Sequence, residues 1–140
     1  MTAPIKLYQP LQHARVLLAD DDRALRRTLA RAIRVQGGEV TEVSDGAELL
    51  ATLRGALLLP AHEPVWNVVV TDLEMPGATG LEVLDAVGGA FGRRRFVFVS
   101  GSDEPVVRRR VEAAGAFAFL PKPFELPELL ALVGQVARRG

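Results

Sequence analysis

The stretch Val68-Val69-Val70-Thr71-Asp72-Leu73-Glu74-Met75-Pro76 decides how this chain is read. A short, continuous apolar run is the pattern of a strand covered on both faces, as in a parallel sheet. This one stops at a carboxylate, and a buried strand has no packing reason to end in one. The sheet edge at the strand C-termini, where doubly wound α/β proteins do their chemistry, gives such a carboxylate a use. Strand-ending acids also open ordinary polar turns, so Asp72 alone fits either description.

Outward from Asp72 the chain alternates between two periods. Toward the N-terminus, Arg15 to Ala19 is a short apolar strand running into Asp20-Asp21-Asp22. Leu25, Leu29 and Ile33 then recur at i, i+4 and i+8 among Arg26, Arg27, Arg31 and Arg34, which predicts an amphipathic helix stopped by Gly37-Gly38. Glu39 to Val43 alternates as a second strand. Ser44 or Asp45 caps a helix with Ala47, Leu50, Leu53 and Leu57 inward, ending before Pro60. Pro60 to Pro64 is a loop, and Trp66 to Thr71 is the third strand.

Beyond Asp72, Pro76 to Gly80 is a turn into a helix with Leu81, Leu84 and Val87 inward, and Phe96 to Val99 is the fourth strand. Ser102 or Asp103 caps the next helix, with Pro105 in the first turn, where its missing N–H costs nothing, and Val107, Val111 and Ala114 inward. Ala116 to Leu120 is the fifth strand, Pro121-Lys122-Pro123 a tight connection, and Leu126 to Ala137 the last helix, with Leu126, Leu129, Leu130, Val133 and Val136 inward. Strands joined by helical crossovers are parallel, and right-handed crossovers place helices on both faces. The class is three-layer α/β, preceded by a flexible leader, Met1 to Ala14, that contains Pro4 and Pro10 and lacks periodicity.

Composition narrows the chemistry. A chain of 140 residues suits one domain. Seventeen basic residues balance seventeen acidic ones, which gives no global drive toward nucleic acid or an anionic membrane. With no cysteine there is no disulfide, thiol catalysis or thiolate metal site, and a reducing, cytoplasmic setting fits. No segment has signal-peptide or membrane-spanning character. His13 and His62 stand far apart near loops and read as surface residues rather than as a zinc site or part of a triad.

All strand C-termini of a parallel sheet share one edge, so Asp20, Asp21, Asp72, Ser100 and Lys122 converge there although about a hundred positions separate them. Two carboxylates about 5 Å apart repel by roughly 3 kcal/mol at an effective dielectric of about 20. Lys122 supplies one counter-charge. A divalent ion taking oxygen ligands supplies two more, and magnesium, which accepts one or two carboxylates and keeps positions for water or a phosphoryl oxygen, fits better than calcium. A carboxylate surrounded by magnesium, a hydroxyl and an ammonium is equipped to accept a phosphoryl group.

From Arg15 to Ala137 these residues resemble the receiver domain of two-component response regulators. The motifs are Val16-Leu17-Leu18-Ala19-Asp20-Asp21-Asp22, Thr71-Asp72-Leu73-Glu74-Met75-Pro76 with Gly80 downstream, Val99-Ser100-Gly101, and Lys122-Pro123-Phe124. The resemblance implies a flavodoxin-like, doubly wound five-stranded parallel sheet of order 2-1-3-4-5, with a leader over 1–14 and the receiver domain over 15–140. It implies that Asp72 accepts phosphate from a phosphohistidine on a sensor histidine kinase or hybrid kinase. Magnesium or manganese is expected at Asp20 and Asp21, with Asp21, Asp72 and the backbone carbonyl of Glu74 as ligands. Ser100 matches the switch hydroxyl, Lys122 the lysine that pairs with the phosphoryl group, and Lys122–Pro123 the family's cis peptide.

The expected consequence of phosphorylation is a switched protein-binding surface on the fourth helix, fifth strand and last helix, with no direct contact to nucleic acid or membrane. With no output domain in the sequence through Gly140, the expectation is that the chain acts through a partner or as a relay intermediate, or is a fragment of a larger regulator or hybrid kinase. Enzymatic turnover is not expected beyond self-phosphorylation from small donors and autodephosphorylation. Three features depart from the family pattern: Phe119 stands where many members carry tyrosine, Gly101 leaves the site open, and Leu57 to Pro64 lengthens the entry to the third strand.

Two other readings compete. A haloacid-dehalogenase-type magnesium phosphohydrolase also uses an aspartate nucleophile, and Asp20-x-Asp22, Ser100 and Lys122 fit its motifs. It expects Thr or Val at Ala24 and a paired acid after its lysine, where only Glu125 and Glu128 follow, and it leaves the Asp72 motif without a role. A pseudo-receiver that binds partners without phosphorylation is the other. Asp22 reads as a helix N-terminal acid, Trp66 as a packing residue, and Arg93-Arg94-Arg95 and Arg108-Arg109-Arg110 as solvated runs.

Overall fold

The computed structural model describes residues 9–60 and 65–139. Five strands, β1 (Arg15–Ala19), β2 (Glu39–Val43), β3 (Val68–Asp72), β4 (Phe96–Ser100) and β5 (Ala118–Pro121), alternate with five helices. These are α1 (Arg23–Val35), α2 (Gly46–Leu57), α3 (Gly80–Phe91), α4 (Pro105–Ala113) and α5 (Leu126–Arg139). All strand pairs are parallel and the order is β2-β1-β3-β4-β5. Strand order reverses beside β1, between β1 and β3, and that is where a doubly wound sheet opens a crevice at its C-terminal edge.

Alternating side chains of the central strands feed two cores. Leu17, Ala19, Val69, Phe96 and Phe98 pack against α2, α3 and α4, whereas Val16, Leu18, Val68, Val70, Val97 and Val99 pack against α1 and α5. Phe96 and Phe98 are fully buried and stack on each other with centroids 6.1 Å apart. Burying a side chain of that size contributes roughly 1.5–3 kcal/mol. The site therefore stands on strands that are buried throughout.

Several local expectations shift. The buried face of α2 is Gly46, Leu49 and Leu53, while Ala47 and Leu57 are exposed. Leu53 and Leu50 of the expected stripe do meet the core; a Cβ on Gly46 would lie 1.7 Å from the Ala78 carbonyl oxygen, so the helix start seats its backbone there and Leu49 joins the buried face. Strand β3 begins at Val68 rather than Trp66, because the Asn67 side chain clamps β1, accepting from the Arg15 N–H and donating to the His13 carbonyl. Trp66 packs against the core and donates to Thr41 Oγ1.

Helix α4 starts from Glu104 without a side-chain cap; Asp103 instead pairs with Arg108 at 3.0 Å. Strand β5 starts two residues later than expected, after Gly115 at φ +87°. Leu11 and Ala14, placed by the sequence reading in a flexible leader, are buried, and the Leu11 N–H donates to the Gln36 carbonyl. The packed structure thus reaches back to Leu11. Within the Pro60–Pro64 loop, residues 61–64 lie outside the described residues.

Candidate functional site

Three loops bring the charged groups to one place. Strand β1 runs directly into Asp20 and Asp21, and Asp22 then caps α1 by accepting from the Leu25 N–H at 3.1 Å. The Asp22 side chain is thereby committed to the helix, as its position at a helix N-terminus predicts. Asp72 is the last residue of β3, in register with Val99 of β4, and pairing continues one step further through Leu73 N–H to the Val99 carbonyl. Lys122 follows β5 and its N–H donates to the Ser100 carbonyl at 2.7 Å.

The carboxylates of Asp20, Asp21 and Asp72 have oxygens within 4.8 Å of one another. Asp20 is 1% exposed and Asp72 is 5% exposed, whereas Asp21 is exposed at the mouth. Lys122 Nζ donates to Asp72 Oδ2 at 2.6 Å and to Asp20 Oδ2 at 3.1 Å. The other oxygens are also held: Asp20 Oδ1 accepts from the Asp22 N–H and Asp72 Oδ1 from the Glu74 N–H, both at 2.9 Å. Asp72 is thus held in one orientation before any ligand arrives.

Burial holds the Asp20 carboxyl above the ordinary carboxylate range, and the Asp72 charge acts in the same sense; the Asp22 N–H and Lys122 oppose this without offsetting it. Burial alone would lower the Lys122 pKa, but the hydrogen bonds to Asp72 and Asp20 and both carboxylate charges outweigh it, so Lys122 lies above the ordinary lysine value and is an ammonium. Three carboxylates against one ammonium leave excess negative charge on hard oxygen donors. That donor set suits magnesium or manganese, which take few protein carboxylates and keep the remaining positions for water or phosphoryl oxygen.

The loop after Asp72 is braced from below. Gly46 N–H donates to the Pro76 carbonyl and Gly80 N–H to the Leu73 carbonyl, while Thr79 and Glu82 form a reciprocal cap on α3. Gly80 is required sterically: a Cβ there would lie 2.8 Å from the Asp72 carbonyl oxygen and 2.7 Å from the Phe98 ring. Ser100 is buried at the same edge, and its Oγ accepts from the Ser102 N–H at 3.0 Å. Among the described residues, its hydroxyl makes no hydrogen bond to the side chain of Asp72 or Lys122. The Phe119 ring is buried beneath the Arg108 guanidinium, 4.8 Å from its centroid.

Sequence reasoning missed Arg26. Its Nη1 donates to the Asp20 carbonyl at 2.9 Å and its Nε pairs with Glu42 at 3.2 Å, tying the acidic loop to β2. The signal was faint: Arg26 lies four residues after the capping Asp22, beside the inward stripe of α1 rather than on it.

A family model described as the response regulator receiver domain matches residues 16–134. Over 125 residues the chain is 34% identical to the response regulator MprA of Mycobacterium tuberculosis, covering 89% of this chain and 51% of MprA. It is 29% identical over 120 residues to the DNA-binding transcriptional regulator NtrC of Azospirillum brasilense, covering 86% of this chain and 23% of NtrC. The chain thus spans about half of one relative and about a quarter of the other. Among solved structures, the chemotaxis response regulator CheY4 of Vibrio cholerae aligns with a TM-score of 0.73 at 28% identity, over 88% of this chain and 98% of that one.

Proposed function

This chain belongs to the response regulator receiver domain family, and we propose that it acts as the phosphoacceptor of a two-component system or phosphorelay, with Asp72 taking a phosphoryl group from a histidine kinase. The observation that carries the reading is Lys122 Nζ bridging Asp72 and Asp20 at the end of the sheet, with Asp21 beside them. In the transfer, an Asp72 carboxylate oxygen bonds to phosphorus as the P–N bond of the phosphohistidine breaks, and that electron pair returns to the imidazole. Asp72 Oδ1 remains fixed by the Glu74 N–H, so the nucleophile needs no reorientation. Lys122 moves its ammonium from carboxylate to phosphoryl oxygens and stabilises the charge that builds there.

Asp21, Asp72 and the Glu74 carbonyl, with Asp20 behind them, would hold magnesium or manganese, which when bound would supply further positive charge to the phosphoryl oxygens. The Ser100 hydroxyl leaves the Ser102 N–H and donates to the new phosphoryl group. That exchange pulls on the loop carrying Asp103, whose partner Arg108 covers Phe119, and so reaches the α4–β5–α5 surface where a protein partner docks. Moving such an equilibrium from 1:99 to 99:1 takes about 5.5 kcal/mol, a sum within reach of several charge-assisted hydrogen bonds.

The test is incubation with acetyl phosphate, with and without magnesium, on the wild type and on Asp72→Asn. Single-turnover labelling of the wild type that requires magnesium and is absent from the variant is expected. Equal labelling of the variant would reject the assignment, and sustained hydrolysis of small phosphate esters would favour the phosphohydrolase instead.

A further inference from the structure

We infer that the chain carries a second anion site, at the end of the sheet opposite the acidic cluster, suited to the linked phosphates of a diphosphate or triphosphate group. It lies where a single 3-10 turn, Arg93–Arg95, enters β4 beside the C-terminus of α5. The length of β4, about 13 Å at ~3.3 Å per residue, separates this end from Ser100. A cavity of about 210 Å³ opens there, lined by Gly92, Arg93, Arg94, Arg95, Val136 and Arg139.

Four arginine residues thus line one small concavity in a chain with no net charge. Ordinary surface arginines are compensated by nearby carboxylates or are free to move, whereas each of these four is held by a carbonyl or aromatic partner and, among the described residues, three have no carboxylate in reach. Arg93 Nη1 donates to the Ala114 carbonyl at 3.1 Å and Arg95 Nη1 to the Asn67 carbonyl at 3.4 Å. Arg94 and Arg139 both lie over the Phe117 ring, at 5.1 and 5.3 Å from its centroid. Among the described residues, the only carboxylate within ion-pair reach of the four is Asp85, 4.0 Å from Arg93 and itself largely exposed.

Carbonyl and aromatic partners orient a guanidinium without neutralising it. Arg94, Arg95 and Arg139, with no carboxylate in ion-pair reach among the described residues, keep N–H donors and their charge for a ligand, and the ordering cost is partly met before binding. A compact, multiply charged anion matches this better than carboxylates spaced along a peptide, because several charges must be met within one small cavity. Linked phosphates present closely spaced oxygens to guanidinium forks, the geometry in which arginine exceeds lysine. The arginine run, read from sequence as solvated, is thereby organised by tertiary contacts to Asn67, Ala114 and Phe117.

The experiment is calorimetric titration of the full chain in EDTA with tripolyphosphate, ATP and adenosine, using Arg94→Gln/Arg139→Gln as the site variant and Asp72→Asn as the control. Both substituted arginines are exposed, and circular dichroism verifies the fold. Tripolyphosphate and ATP are expected to bind within a few-fold of each other, adenosine not at all, and the double variant at least about tenfold more weakly, with Asp72→Asn unchanged. Raising ionic strength from about 0.05 to about 0.2 M should weaken binding by roughly tenfold, since the contact is charge on charge. Equal binding by the double variant, adenosine binding as tightly as ATP, or an oligoglutamate peptide or duplex DNA binding more tightly than tripolyphosphate would overturn the inference. So would an absence of binding at low ionic strength.

Discussion

Asp20→Asn should make the metal-free protein more stable and the magnesium-loaded protein less so. Asp20 is 1% exposed, 3.1 Å from Lys122 Nζ and within 4.8 Å of Asp72. At an effective dielectric of about 20 the attraction to Lys122 is about 5 kcal/mol and the repulsion from Asp72 at least about 3 kcal/mol, so removing the charge forfeits about 2 kcal/mol. Against this stands the cost of desolvating a buried carboxylate, several kcal/mol in practice. The raised pKa of Asp20 shows which side wins: burial outweighs Lys122 and the Asp22 N–H. A net gain of about 1 kcal/mol follows for the variant without metal, a rise in Tm of about 2–5 °C for a domain of this size.

The pH dependence has a definite sign. A carboxyl whose folded pKa is raised favours the folded state below that range, and the favour is lost as pH rises through the folded pKa. The variant's advantage should therefore be absent in acid and open as pH climbs through the raised pKa of Asp20. Saturating magnesium stabilises the wild type by about 2.7 kcal/mol at a hundred times Kd and the weaker-binding variant by less, so the order reverses. Thermal melts in EDTA and in magnesium across pH read both effects. A variant less stable than wild type in EDTA, or equal magnesium shifts for the two proteins, would refute the reasoning.

Three further outcomes follow from the same geometry. Lys122→Ala leaves Asp20 and Asp72 facing each other without a counter-charge and should cost about 2–4 kcal/mol in EDTA by denaturant melts, with part restored by magnesium, and should abolish labelling by acetyl phosphate. Gly80→Ala drives a methyl into the Asp72 carbonyl and the Phe98 ring; a loss of about 1–3 kcal/mol in urea unfolding and slower labelling are expected. Ser100→Ala strands the Ser102 N–H at a cost of about 1 kcal/mol, and labelling should persist while the phosphorylation-dependent shift of the Phe119 ring resonances in NMR is lost.

The central strands could be read because their information is local: runs such as Val68–Val70 and Phe96–Val99 bury both faces whatever their partners are. The same holds for the chemistry, since acids and a lysine at strand ends can only meet at the common edge, and Asp20, Asp21, Asp72 and Lys122 do meet there. What escaped depends on contacts distant in sequence. The close seating of the α2 start is set by Gly46 against Ala78, and the burial of Leu11 goes with its bond to Gln36. Neither leaves a periodic trace. Arg26 looks like any other arginine of an amphipathic helix until the Asp20 carbonyl is seen beside it.

The most direct test of the phosphoacceptor claim is to locate the acyl phosphate. Wild-type protein is phosphorylated by acetyl phosphate in magnesium and reduced with borohydride, which converts an aspartyl phosphate to homoserine, and the peptides are then sequenced by mass spectrometry. Homoserine at position 72 and nowhere else, formed only with magnesium, is the predicted result; conversion at position 20 or 21 with Asp72 intact would contradict the account.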